Sequence, residues 1–214
     1  MTGSRARAPK GQGGLLREHL LDIAGRILEA DGPGALTIRA VATTAGVTPP
    51  AVYLHFASKQ DLVHATCLRV WSSLFDELEA VSRGIPDPVT ALHETCVAYI
   101  TFGLQHPAQY RLVMDGEATE ASRHNEDACF RYFRDKVTAC RDAGVPMDST
   151  TETARLLCAG AHGAVSLLIH QERDTWPSDT GRYVARAASA AVHGALLTAA
   201  RTAPPSLSAV TRSG

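Results

Sequence analysis

Two pairs of metal-ligating side chains stand at helical spacing in this chain. His93 and Cys96 are three residues apart, and Cys158 and His162 are four apart. On a helix each pair would share one face, which is the placement that a zinc site uses. Such pairs also arise by chance in helical proteins, so a metal-responsive protein is one open alternative. We expect neither a bound metal nor a cofactor.

The chain has five cysteines, an odd number with no CxxC spacing. This pattern fits neither a disulfide framework nor a zinc ribbon, and it favours a reducing cytoplasm. A redox sensor that uses Cys67, Cys96 or Cys129 stays open as a second alternative.

Catalytic signatures are missing from the sequence. It contains no GxSxG, HExxH, P-loop or GxGxxG motif, and no nucleophile–base pair is fixed by local spacing. We therefore expect no enzyme, although an all-helical enzyme or small-molecule-binding protein is the remaining alternative.

Composition indicates a folded chain with an uneven charge distribution. Hydrophobic residues make up 45% of the 214 residues and charged residues 20%, with a formal net charge of −1. That balance argues against disorder over most of the length and leaves room for one large or two small domains. Residues 1–17 carry four basic and no acidic side chains. The leader of residues 1–14 lacks the apolar stretch of a signal peptide, and no run approaches the roughly 20 residues of a membrane span.

Apolar periodicity predicts helices almost throughout and no strand. Ser58 with Asp61 and Ser149 with Glu152 form capping boxes, while Gly32, Gly46 and several prolines separate the elements. The fold class is therefore all-α, with nine helices. They are predicted over residues 16–31, 37–44, 48–56, 58–83, 87–106, 108–115, 120–143, 149–172 and 179–201.

Two of these helices are short and joined by a tight glycine turn, between Thr37 and Phe56. Neither can bury enough apolar surface alone, so both must pack on their neighbours through residues such as Val52 and Phe56. The outward side of the second short helix is low and uncharged, which suits entry into a DNA major groove about 12 Å wide. Spacing alone leaves a generic helical hairpin equally open.

The residues of this segment resemble the N-terminal domain of the tetracycline-repressor (TetR) family. The resemblance rests on four stretches: 37–42 (TIRAVA), 45–48 (AGVT), 51–56 (AVYLHF) and 58–62 (SKQDL). It extends without a gap over residues 15–70. It implies a nine-helix fold with a helix-turn-helix DNA-binding domain at 15–70 and an effector-binding and dimerisation domain at 71–203.

The resemblance also implies which residues contact DNA: Thr37, Arg39, Thr48, Pro49, Pro50, Ala51, Tyr53, His55 and Lys59. The hydroxyls of Thr37 and Thr48 and the ammonium of Lys59 would contact phosphates. Tyr53 and His55 would end the recognition helix at the groove, and Arg39 would contact a phosphate or a base. Pro49, Pro50 and Ala51 would touch thymine methyls. The two prolines replace small or polar residues that are common in the family. A lone surface histidine is the alternative for His55, and a solubilising tail is the alternative to a minor-groove arm for residues 1–14.

Beyond residue 70 the resemblance is weaker. The stretches 106–113 (HPAQYRLV) and 161–163 (AHG) are similar to a TetR subclass in which a tryptophan usually precedes the His-Gly pair, so Ala161 would remove bulk there. The last two helices are rich in small residues, which favours either packing within one subunit or a four-helix homodimer interface. The predicted interface residues are Leu156, Gly160, Gly163, Ala164, Leu167, Ala188, Ala191, Val192 and Ala195. Residues 204–214 are expected to form a disordered tail.

Aromatic and sulfur-containing side chains recur in the middle helices. They are Trp71, Phe75, Cys96, Tyr99, Phe102, Tyr110, Met114, Cys129, Phe130 and Phe133, with His162 expected nearby. They form either ordinary core or an apolar effector pocket. With the resemblance, they predict a cytoplasmic homodimeric repressor. A lipophilic or aromatic effector would release it from a palindromic double-stranded operator by tilting the fourth helix.

Overall fold

The computed structural model describes residues 12–114 and 120–199. Within these ranges it contains nine α-helices and no strand, which confirms the predicted all-α class. The helices are α1 Gln12–Asp31, α2 Ile38–Ala45, α3 Pro49–Tyr53, α4 Lys59–Ser82, α5 Pro88–Gln105, α6 Pro107–Met114, α7 Glu120–Asp142, α8 Thr150–Ile169 and α9 Thr180–Ala199. Two 3₁₀ turns lie at Pro33–Ala35 and Arg173–Thr175. None of the described helices combines the length and apolar character that a membrane span requires.

Polar side chains fix the starts of three helices where the sequence predicts them. The Ser58 hydroxyl accepts a hydrogen bond from the Asp61 N–H at 3.0 Å, before α4. The Asp87 carboxylate accepts from the Thr90 N–H at 2.8 Å before α5, and the Ser149 hydroxyl accepts from the Glu152 N–H at 3.3 Å before α8. Each bond satisfies a donor that the first turn of a helix leaves without a partner.

Gly46 ends α2 and turns the chain into α3. Its φ of 68° lies in the left-handed region, which glycine adopts without a steric penalty. The Gly46 N–H donates to the Thr43 carbonyl at 3.2 Å, and the Val47 N–H donates to the Ala42 carbonyl at 3.0 Å. This is the Schellman pattern of helix termination. It leaves only three residues between the two short helices.

Several predicted boundaries differ from the structure. Helix α1 begins at Gln12, so the predicted arm of residues 1–14 overlaps it by three residues. The start escapes prediction because Gln12, Gly13 and Gly14 carry no apolar side chain for the periodicity to detect. Helix α3 covers five residues rather than nine, and α8 ends at Ile169 rather than 172. The remainder of the arm and the tail of residues 204–214 lie outside the described residues.

The chain divides into two compact units. The N-terminal unit comprises the described residues up to 75 together with those of 105–125, and the C-terminal unit comprises those of 76–104 and from 126 onward. In the N-terminal unit, α1 packs against α2, α3 and the start of α4. Its buried apolar core consists of Leu20, Leu21, Ile23, Ala24, Ile27, Leu36, Ile38, Val41, Ala42, Val52, Phe56, Leu62 and Ala65. In the C-terminal unit, α8 packs along α9.

Candidate nucleic-acid interface

Helix α3 presents one buried and one exposed side. Val52 on the helix and Phe56 just after it are fully buried in the core of the N-terminal unit, as the sequence predicts. On the other side Pro49, Pro50 and Tyr53 are exposed, Tyr53 by 54%, and Ala51 is half-buried. The exposed side carries no charge. Because the buried pair fixes the rotation of the helix, these side chains form a low, neutral ridge.

Leu54, which the sequence interpretation did not single out, belongs to this surface. Its side chain is 84% exposed, more than any other described large hydrophobic residue. The spacing of Val52 and Phe56 could have shown it, because two buried positions four residues apart leave position 54 on the opposite side of a helical turn. A solvated leucine at this place is an apolar contact surface without a partner inside the N-terminal unit.

The two threonines at the helix starts differ in their local bonds. Thr37 precedes α2, and its hydroxyl oxygen accepts from the Ala40 N–H at 3.1 Å. Thr48 precedes α3 and makes no capping hydrogen bond through its side chain. Each hydroxyl proton can therefore be donated to an acceptor outside the protein. Thr37 is half-buried and Thr48 is exposed.

Two cations lie on the same unit as this ridge. Arg39 on α2 and Lys59 at the first position of α4 are both exposed, and neither forms an ion pair with a described residue. His55 is half-buried. A third cation is held by an aromatic ring, since the Arg17 guanidinium lies 5.2 Å from the ring centroid of Phe56. Arg39 and Lys59 therefore supply unpaired positive charge on the same unit as the neutral ridge of α3.

The C-terminal unit carries an apolar groove of about 530 Å³ along α8 and α9, here called the α8–α9 groove. It is lined by Leu156, Gly160, Gly163, Ala164, Leu167, Ala187, Ala190, Ala191, Gly194, Ala195 and Thr198. Seven of the nine residues predicted for a dimer interface are among them. Leu156 and Leu167 stand 46% and 61% exposed, so the groove is bounded by solvated leucines.

The small residues of α8 and α9 serve two different purposes. A Cβ on Gly160 would stand 3.1 Å from the Ala191 Cβ, so these two residues let the helices approach within one unit. A Cβ on Gly163 or Gly194 would meet nothing within 4 Å. Ala188 and Val192, also predicted for the interface, are fully buried and pack inside the unit because they lie on the inner side of α9.

The residues predicted to bind an effector are distributed over both units. Trp71, Phe75, Tyr110 and Met114 belong to the N-terminal unit, and the others to the C-terminal unit. Trp71, Cys96, Tyr99, Phe102, Tyr110, Cys129 and Phe133 are buried, whereas Phe75, Met114, Phe130 and His162 are half-buried. Tyr99 and Phe133 meet edge to face with their ring centroids 5.6 Å apart. None of these side chains lines the α8–α9 groove. Ala161 is buried as well.

The two histidines of the candidate metal-binding pairs form hydrogen bonds with serines. The His93 Nε2 lies 3.0 Å from the Ser189 hydroxyl, and the His162 Nε2 lies 3.1 Å from the Ser166 hydroxyl. Over residues 12–114 and 120–199 no three His, Cys, Asp or Glu side chains are grouped as metal ligands. Both predicted His/Cys pairs therefore lack a third ligand among the described residues.

Burial keeps the thiols protonated. It raises the pKa of Cys67 and of Cys158 to about 11 and the pKa of Cys129 to about 12. The pKa of the Cys96 thiol is raised further, first by burial and then by the nearby Cys158. Since the thiolate is the reactive form, none of these environments activates a cysteine.

Two models of one family match this chain in different segments. The model described as bacterial regulatory proteins of the tetR family matches residues 20–66, which hold α2, α3 and their supporting helices. The model described as a tetracyclin repressor-like C-terminal domain matches residues 92–191, from α5 into α9. Together the two segments cover more than half of the chain in the order that the family requires.

Individual transcriptional regulators are also similar to this chain. The transcriptional regulator AcrR of Shigella flexneri is 27% identical over 169 residues, which are 72% of this chain and 78% of AcrR. The transcriptional repressor KstR2 of Mycobacterium tuberculosis is 28% identical over 126 residues, 59% of this chain and 61% of KstR2. A crystal structure of a transcriptional regulator from Rhodococcus sp. Rha1 shares the fold. Its TM-score is 0.72 at 20% identity, with 87% of this chain and 99% of that one covered. The helix-turn-helix, the two family matches and these relatives show that the chain belongs to the tetracycline-repressor (TetR) family and is a DNA-binding transcriptional regulator.

Proposed function

We propose that this protein represses transcription by inserting α3 of each of two subunits into successive major grooves of a pseudo-palindromic operator. The observation that carries the proposal is the neutral, low and exposed side of α3, whose other side is fixed in the core by Val52 and Phe56. The relative KstR2 is a repressor by its name, which supports repression rather than activation.

The residue types on this surface divide into two roles. Pro49, Pro50 and Ala51 carry no side-chain donor, and the prolines lack N–H groups, so they contact bases through apolar groups such as thymine methyls. Tyr53 and His55 contact the groove and its edge. Phosphates are bound by Thr37, Thr48, Arg39 and Lys59, and these contacts fix the position of the protein along the DNA. The guanidinium of Arg39 can also donate to a base edge. The exposed Leu54 adds apolar area beside the groove.

The α8–α9 groove supports a homodimer. Its two helices each have 20 residues and so extend for about 30 Å, enough for an interface of ordinary size. Side by side with the same pair from a second subunit they would form a two-fold four-helix bundle, with Leu156 and Leu167 of each copy filling the other's groove. Binding to two half-sites of an operator requires the two recognition helices of a dimer to lie about 34 Å apart, the repeat of B-DNA.

A small lipophilic or aromatic effector is proposed to release the operator. The proposal rests on the aromatic and sulfur-containing side chains of the middle helices, of which Phe130 and His162 are half-buried within the C-terminal unit. The pair His162-Gly163 supports assignment to the His-Gly subclass, with Ala161 in place of its usual tryptophan. The effector releases DNA only if it binds the DNA-incompetent state more tightly.

The test is an electrophoretic mobility shift assay with duplex DNA that flanks the gene of this protein. It compares the parent protein with the variant Ala51→Asp and with the matched control Ala80→Asp. Ala80 is exposed on α4 in the C-terminal unit. The carboxylate at position 51 faces base edges and phosphates, so affinity for the parent's footprint is expected to fall at least 100-fold, whereas the control binds as the parent does. Retained binding by Ala51→Asp would place the DNA surface elsewhere.

Lys59→Ala separates phosphate from base contacts in the same assay. The variant loses one phosphate contact in each subunit, so affinity falls on every sequence alike. The slope of log affinity against log salt should be reduced by about 1.8 for the dimer, which is about 0.9 for each contact. Arg83→Ala removes an exposed charge from the other unit and should leave the slope unchanged. A sequence-dependent loss with Lys59→Ala would contradict its assignment to a phosphate.

A further inference from the structure

Arg17 of α1 is fixed close to the end of the exposed ridge of α3. Its guanidinium lies 5.2 Å from the ring centroid of Phe56, within the range of a cation–π contact. Phe56 follows the exposed Tyr53 and Leu54 in the chain and stands three residues before Lys59. The ring therefore holds a third cation near the surface on which the proposed function depends.

The donors of Arg17 can reach an acceptor outside the protein. Its side chain is 43% exposed, and the Glu18 Oε1 lies 3.7 Å from its Nη1, which is too far for a hydrogen bond. A guanidinium carries a planar fork of N–H groups that matches the geometry of a phosphate, and its face stacks on aromatic rings. Arg17 is therefore anchored through its face while its edge remains available.

Arg69 of α4 keeps the neighbouring carboxylate of Glu18 occupied. Its guanidinium donates to the Glu18 Oε2 and, at 2.7 Å, to the Asp22 Oδ1. Glu18 and Asp22 stand four residues apart and so share one face of α1. One arginine thus binds two carboxylates, and Glu18 lies closer to this partner on α4 than to Arg17 on its own helix.

The charge balance of the segment makes the state of Glu18 important for DNA binding. Residues 12–75 carry five basic and five acidic side chains, so they have no net positive charge to attract a polyanion. Charges on a surface influence one another within about 8 Å at physiological salt. If Arg69 released Glu18, this carboxylate would draw Arg17 into an ion pair and would repel a phosphate at the same place.

We propose that Arg17 binds a DNA phosphate beside the inserted α3, and that Arg69 is a positioning residue which keeps Arg17 available by holding Glu18. The inference rests on the proposed function, because the phosphate belongs to the groove that α3 enters. The contact is a charge-assisted hydrogen bond, one in each subunit. It also gives α4 an electrostatic effect on DNA affinity, since a movement of α4 that withdraws Arg69 from α1 frees Glu18 to pair with Arg17.

The phosphate contact is tested by the mobility shift assay with the duplex that flanks the gene, repeated at several salt concentrations. Arg17→Ala should bind more weakly, and its slope of log affinity against log salt should be reduced by about 1.8 for a dimer that loses two contacts. Arg26→Ala is the matched control, because Arg26 is exposed on α1 nine residues further on, about two and a half turns away and hence on the opposite side. It should bind as the parent does. An unchanged slope with Arg17→Ala would overturn the proposal.

The positioning role of Arg69 is tested by rescue. Arg69→Ala should weaken binding as far as Arg17→Ala does, and adding Glu18→Gln to Arg69→Ala should restore the affinity of the parent. Adding Asp22→Asn instead should restore nothing, because Asp22 lies one helical turn away from Glu18. Unfolding in urea checks that each variant is folded. If Arg69 only stabilised the packing of α1 on α4, removal of the Glu18 charge would not rescue binding, and that result would overturn the positioning role.

Failure of this inference can be told apart from failure of the proposed function. A parent protein that binds no duplex would overturn both. A parent that binds DNA, with Arg17→Ala and Arg69→Ala binding as tightly at every salt concentration, would overturn this inference alone.

Discussion

Single residues decide whether this regulator can sense oxidants. At Cys67 burial raises the pKa from 9.0 to about 11, so the thiolate population at neutral pH falls about 100-fold. The higher nucleophilicity of a more basic thiolate offsets part of this loss, which leaves about a 10-fold slower reaction. We expect alkylation of Cys67 by iodoacetamide at pH 8 to be about 10-fold slower in the folded protein than in urea, as measured by peptide mass spectrometry.

The raised pKa values of the thiols also predict how the stability of the protein depends on pH. The unfolded chain ionises Cys67 and Cys158 near pH 9, whereas the folded chain keeps both protonated up to a pKa of about 11. Their contribution to stability is therefore complete below pH 9 and is lost as the pH rises from 9 to 11. Rapid alkylation of Cys67 in the folded protein would contradict this assignment and reopen the redox alternative.

At the level of the helices, substitutions of Thr37 and Thr48, which precede α2 and α3, should separate an effect on stability from an effect on DNA binding. Thr37→Ala removes the hydrogen bond from the Ala40 N–H, so the free energy of unfolding in urea should fall by about 1 kcal/mol. Thr48→Ala removes no capping bond and should change stability by less than about 0.5 kcal/mol. Both variants are expected to bind the operator more weakly. Equal losses of stability, measured at one protein concentration, would show that α3 is also capped through its side chain.

The helix pattern of this fold could be predicted from sequence because its determinants are local. Gly46 with a positive φ, the capping pairs at Ser58 and Ser149, and the four-residue spacing of Val52 and Phe56 each act within one or two turns. The predictions failed where such a marker is missing. Helix α1 starts among residues without apolar side chains, and α8 ends at Ile169 although neither glycine nor proline follows it.

The candidate site could be predicted only in part, because it also depends on contacts between distant segments. The ion pairs of Arg69 with Glu18 and Asp22 join residues about 50 positions apart, and no spacing rule indicates them. The inward direction of Ala188 and Val192 depends on how α9 is rotated against α8. For a helix rich in alanine the apolar pattern hardly distinguishes one face from another. The resemblance to a family therefore supplied the candidate DNA-binding residues, whereas packing decided which small residues remain on the surface.

At the scale of the whole molecule, the α8–α9 groove should determine the number of subunits and, through it, operator affinity. A glutamate in place of Leu167 or Leu156 would place a charge against the apolar groove of the second copy. Leu68→Glu is the matched control, since Leu68 is 42% exposed but lies on α4 in the N-terminal unit. Sedimentation velocity should show a monomer for each groove variant and a dimer for the parent and the control.

DNA-binding measurements then show whether the two subunits of the dimer bind the palindrome together. A monomer inserts a single recognition helix, so it should lose at least 100-fold in affinity for a full palindrome yet bind an isolated half-site as the parent's single subunit does. The difference arises because the second helix of a dimer binds without a further loss of translational freedom. If Leu167→Glu and Leu156→Glu both sediment as dimers, the two subunits meet through another surface. If they are monomers that still bind the palindrome as tightly as the parent, the two half-sites are read independently and the α8–α9 groove has no part in operator recognition.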